Sequence, residues 1–89
     1  MKFKLKPKVR FIGERQGIKY PNGKVRITDL SGNLIISYHD KDGETVNTNP
    51  VILDYAAEAD IYLETNEGFI DLYDDRDVQI YHKRINELE

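Results

Sequence analysis

Turn-forming residues punctuate this chain about every eight to twelve residues, and that rhythm limits what it can fold into more than any other feature. Gln16-Gly17, Pro21-Asn22-Gly23, Ser31-Gly32-Asn33, Asp40-Lys41-Asp42-Gly43, Asn47-Thr48-Asn49-Pro50, Asn66-Glu67-Gly68 and Asp74-Asp75-Arg76-Asp77 separate short apolar bursts. A parallel return between strands needs a crossover of about a dozen or more residues, which these short links do not supply. The pattern predicts an all-β fold, or a β-rich α+β fold, in which a small antiparallel meander forms a sandwich or a partly open barrel.

The bursts carry the period of strands. Lys2 to Lys6 alternates cation and apolar residue, placing Phe3 and Leu5 on one face, and Pro7 puts this segment at a sheet edge. Lys24 to Leu30 alternates Val25 and Ile27 against Lys24, Arg26 and Thr28, and Leu34–His39 and Glu44–Val46 follow as further strands of the meander. Val51 to Tyr55 has β-branched character, whereas Ala56-Ala57-Glu58-Ala59 favours a helical turn. Ile61–Thr65 and Phe69–Tyr73, joined through Asn66-Glu67-Gly68, predict a hairpin. Val78–His82 reads as the last strand, and a short helical tail follows.

Eighty-nine residues predict a single domain, residues 1–89, because so short a chain cannot enclose two apolar cores. There is no cysteine, so neither a disulfide nor a thiolate metal site can reinforce it. No apolar run approaches the roughly 18 residues of a membrane helix, and the basic N-terminus lacks the apolar stretch of a signal peptide. A soluble, cytoplasmic protein is the expectation.

Charge is sorted along the sequence. Residues 1 to 28 hold nine basic side chains and one acid, and residues 29 to 89 hold four basic side chains and fifteen acids, which leaves a net charge of −3. Such segregation bears on what a protein attracts rather than on its fold. From Asp54 to Asp75 there are eight acids and no base. With Ile61, Leu63, Ile70 and Leu72 facing inward, the predicted hairpin would display Tyr62, Phe69 and Tyr73 among Glu64, Asp71 and Asp74. Exposed rings among carboxylates suit a protein interface, with charge steering encounter and rings supplying buried area. Acids spaced about 7 Å apart along a strand face also match alternate phosphates of a nucleic acid strand. The leading expectation is therefore a non-enzymatic protein-binding module or inhibitor that engages a basic protein surface, in its sharpest form a DNA-mimic-like block of a nucleic-acid-binding protein.

Two other functions fit the same charges. Lys4, Lys6, Lys24 and Arg26, with Tyr20 stacking beside the Pro-Asn-Gly turn, could form the phosphate-tracking groove of a small nucleic-acid-binding β-barrel. The basic edge of one copy could also meet the acidic face of the next, giving a self-assembling structural subunit. Alternating lysines and a solvated acidic face are the plain alternatives. His39-Asp40-Lys41-Asp42-Gly43-Glu44 starts like a calcium loop, but glycine falls at the fourth position rather than the sixth and Val51 stands at the twelfth. No nucleophile elbow, Walker loop or dinucleotide fingerprint occurs, so neither catalysis nor a cofactor is expected. His39 and His82 would approach only if their strands paired.

Overall fold

The computed structural model describes residues 3–4 and 11–88. Ten strands run through them: β1 (Phe3–Lys4), β2 (Phe11–Ile12), β3 (Glu14–Arg15), β4 (Ile18–Lys19), β5 (Lys24–Thr28), β6 (Val51–Ile52), β7 (Glu58–Ala59), β8 (Tyr62–Leu63), β9 (Phe69–Tyr73) and β10 (Gln79–Arg84). They form small antiparallel sheets, and no barrel closes among the described residues. The principal sheet has the order β10-β9-β5-β6, and three two-stranded ladders join β1 to β8, β2 to β7 and β3 to β4.

Alternation governs the principal sheet as the sequence predicts. Val25, Ile27, Ile70 and Leu72 point inward and are fully buried, in register as Val25↔Leu72 and Ile27↔Ile70. Phe11, Leu53, Ile61, Leu63 and Ile85 close over them in one apolar cluster. Strand β10 runs to Arg84, and a 3-10 turn, Ile85–Leu88, ends the described chain, so the predicted strand and short helical tail are both present. Leu5, Lys6 and Pro7, and with them the expected face of Leu5 and the edge role of Pro7, lie outside the described residues, as does the side chain of Phe3.

The antiparallel sheets are small, as the sequence predicts, and their pairings also reach beyond strands adjacent in sequence. Strand β5 is flanked by β9 and β6, and β1 and β2 pair with β8 and β7, so the basic N-terminal third threads between strands of the acidic half. Sequence poles become neighbours in space. Lys4 Nζ lies 3.0 Å from Asp60 and Lys24 Nζ 2.5 Å from Asp77.

The predicted strands at Leu34–His39 and Glu44–Val46 reduce to single bridges, Thr28↔Leu34, Tyr38↔Val46 and Tyr38↔Tyr62. Side-chain amides replace a regular ladder here. Asn49 Nδ2 donates to Ile27 O and Ile35 O, both at 2.9 Å, while its Oδ1 accepts from Ile27 N at 3.2 Å. Asn47 Nδ2 donates to Asp60 O at 3.0 Å and to Ser37 Oγ at 3.3 Å.

The hairpin predicted between Ile61–Thr65 and Phe69–Tyr73 does not form, because β8 pairs with β1 while β9 pairs with β5 and β10. Residues 64–68 turn a corner between sheets. Gly68 sits at φ 145°, where a Cβ would stand 2.2 Å from Thr28 O, an approach only glycine permits.

One five-residue loop recurs at Asp29–Asn33, Asp54–Glu58 and Asp74–Val78. In each, the leading carboxylate accepts the N–H groups two and four residues on, at 2.8–3.0 Å. In each, the fourth residue adopts positive φ: Gly32 at 89°, Ala57 at 63° and Asp77 at 66°. The helical turn read into Ala56–Ala59 is thus an aspartate-capped loop followed by β7.

Candidate functional site

The six residues predicted for one acidic, tyrosine-bearing face fall in three places. Tyr62 and Glu64 belong to the β8 side of the fold. Tyr62 is half-buried, with Lys4 Nζ 5.2 Å from its ring centre. Phe69, Asp71 and Tyr73 lie on the outer face of the principal sheet, as alternation with Ile70 and Leu72 requires. Asp74 caps its own loop through Arg76 N and Val78 N. The single hairpin surface is therefore corrected to separate surfaces, because its two strands enter different sheets.

The residues named for nucleic-acid binding are also redistributed. Lys4 binds Asp60, and Lys6 is outside the described residues. Tyr20 is half-buried against the core rather than offered for stacking. Lys24 and Arg26 occupy the outer face of the principal sheet, beside Tyr73 and Asp71 in register. His39 reaches toward Asp60, at 3.9 Å, whereas His82 lies on β10, whose partner is β9, so the two histidines are not on paired strands.

Two surfaces stand out. The first is a groove of about 590 Å³ between the 34–38 segment and the corner at 64–65, lined by Leu34, Ile35, Ile36, Tyr38, Glu64 and Thr65. Leu34 is 56% exposed and Ile36 60% exposed, and Val46, bridged to Tyr38, is 59% exposed. Tyr38 Oη donates to Glu64 Oε1 at 2.8 Å, and this bond to a carboxylate raises the phenol above its ordinary pKa. Glu64 and Glu67 are both exposed on the corner, and Glu64 stands at the wall of the groove beside its aliphatic floor. The consecutive aliphatics Leu34-Ile35-Ile36 are the sequence signal for it, since a strand cannot bury three successive side chains on one face.

The second surface is the outer face of the principal sheet. Its rows run Lys24–Tyr73–Gln79, Arg26–Asp71–His82 and Thr28–Phe69–Arg84. Asp71 is only 5% exposed, yet it accepts His82 Nδ1 and, at 3.4 Å, Gln79 Nε2. A carboxylate can only accept, so the imidazole donates to it through Nδ1. The His82 ring stacks on Phe69 with centres 4.7 Å apart and planes 24° apart, and the Arg84 guanidinium lies 6.0 Å from the Phe69 centre. Sequence reasoning missed His82 and Arg84 here, because their strand partner is set by the register of β9 and β10.

Among the described residues no group of three or more His, Asp or Glu side chains is gathered to hold a metal ion. No helix among them is long and apolar enough to cross a membrane. No protein-family model matches the chain, and no curated protein matches it in sequence.

Proposed function

We propose that this chain is a non-enzymatic protein-binding module that seats an extended segment of a basic partner in the groove between residues 34–38 and 64–65. One observation carries this reading: Leu34 and Ile36 are exposed at the floor of a groove whose wall bears Glu64. Isolated exposed aliphatics are ordinary, but neighbouring ones rimmed by polar groups mark association surfaces. The partner's apolar side chains would cover Leu34, Ile36 and Val46, and its cationic side chains would meet Glu64 and Glu67, which favours rapid encounter and fixes orientation. The acidic, tyrosine-bearing surface expected from the sequence is kept in this form, with Tyr38 and Glu64 in place of the hairpin. A partner that itself binds nucleic acid would present such a basic segment.

Fluorescence anisotropy with a labelled peptide alternating leucine and lysine tests the reading, with a leucine–glutamate peptide as control. The lysine peptide should bind and the glutamate peptide should not. Glu64→Lys should slow association, and Ile36→Asp should weaken binding at an exposed position where folding is spared. Equal binding of both peptides, or no effect of either substitution, would end the proposal.

A further inference from the structure

The outer face of the principal sheet has a chemistry the groove does not share. We infer that it is a second binding surface, for single-stranded nucleic acid, with the Phe69–His82 stack as a base platform and Arg84 and Arg26 on phosphates.

The sheet face is open. His82 has half of its side chain exposed, and Arg26 and Arg84 are exposed on either side. The bond to buried Asp71 holds the imidazole within 24° of the Phe69 plane, so the stack is preorganised and a base can continue it on the outer face of His82. Stacking on aromatic rings is the sequence-tolerant half of single-strand recognition, because every base has a π-face. The other half is cationic. Arg84 lies beside Phe69, and Arg26 sits opposite Asp71 in register. The carboxylates on this face are Asp71, which is buried under His82 and Gln79, and exposed Asp77, which is paired with Lys24. Phosphate would therefore meet guanidinium rather than carboxylate at the centre of the sheet. Tyr73, four residues from Phe69 on the same face, stands about 14 Å along the strand, and it supplies a second ring about two extended nucleotides away.

Labelled dT12 and rU12 oligonucleotides, with the matching duplex, titrated by anisotropy at about 50 and 150 mM salt, test the inference. Both single strands should bind more tightly than the duplex, and a difference between dT12 and rU12 shows which sugar the site prefers. Affinity should fall with salt at a log–log slope of about 0.7 for each phosphate neutralised, about 1.4 for the two arginines. Arg26→Gln and Arg84→Gln, at exposed positions, should each lower that slope by about 0.7. Phe69→Leu keeps an apolar side chain under Arg84 and should weaken binding about ten-fold with the slope unchanged. Glu64→Lys, in the groove, should preserve this pattern of stacking and slope effects. Absence of binding at low salt, preference for duplex, or binding indifferent to all three face substitutions would overturn the inference.

Discussion

Replacing Asn49 with alanine should be among the most damaging single changes this protein can suffer, although the residue lies in a loop rather than in the apolar core. Its amide makes three hydrogen bonds that stand where a strand ladder would otherwise run: two donated, to Ile27 O and Ile35 O, and one accepted from Ile27 N. Ile27 O keeps a second donor, Ile35 N at 3.2 Å, so alanine orphans chiefly the Ile27 N–H and the Ile35 carbonyl. Each buried polar group left without a partner costs about 1–3 kcal/mol, so the loss from two should be about 2–6 kcal/mol. A domain of this size is stable by about 4–13 kcal/mol, which makes that a large fraction of the whole. Urea denaturation followed by circular dichroism should show the midpoint falling by that loss divided by the slope, with little change in the slope itself. Asn49→Asp should fare no better, since a carboxylate would then face two carbonyl oxygens. A loss below about 0.5 kcal/mol for Asn49→Ala would mean that water replaces the amide and that the 34–38 segment is held by other contacts.

Gly68→Ala should cost about 3 kcal/mol or more, from positive φ and a Cβ placed 2.2 Å from Thr28 O; Gly17→Ala, with nothing within 4 Å, should cost only about 1 kcal/mol in the same denaturant assay. Asp74→Ala should cost about 1 kcal/mol by losing two loop N–H bonds, Asp29→Ala should destabilise the protein by the same route, and the asparagine variants should recover most of the loss. Asp29 is held below the ordinary carboxylate value, chiefly by the Asn33 N–H, so its contribution is present above that range and lost as pH falls through the lowered value; Asp29→Asn should flatten that step in acid unfolding curves. Burial pushes the Tyr81 phenol up to about 12 from 10.0, so its neutral form favours folding below pH 10 and that contribution is lost between pH 10 and 12. Tyr81→Phe should remove this alkaline loss of stability, and absorbance at 295 nm should show one fewer late-titrating phenol.

What could be read locally from the sequence is what local physics controls. The inward set Val25, Ile27, Ile70 and Leu72 follows from two-residue alternation, and the last strand and its tail follow from the pattern around Tyr81 and Ile85. Pairing is not local. Asn66-Glu67-Gly68 announces a change of direction, but whether the chain reverses or turns a corner is decided by Gly68 packing on Thr28, forty residues earlier in sequence. The same limit governs charge. The basic arm and acidic half look like two poles until β1 pairs with β8 and β5 with β9, which brings Lys4 to Asp60 and Arg26 beside Asp71. Three identical aspartate loops escaped notice because only one carries glycine at the positive-φ position, whereas Ala57 and Asp77 adopt that conformation in the other two. Asp54 and Asp74 thus belong to loop architecture, although their sequence neighbourhood suggests an interface.

The central claim is that a basic, extended partner segment lies along Leu34–Tyr38 against Glu64, and a two-dimensional ¹H–¹⁵N correlation spectrum of the labelled protein, titrated with the leucine–lysine peptide, tests it most directly. Saturable shifts are expected at residues 34–38, Val46, Glu64 and Thr65, with Phe69, Asp71, His82 and Arg84 unmoved. Shifts centred on the outer sheet face, or absent from the groove at saturating peptide, would contradict it.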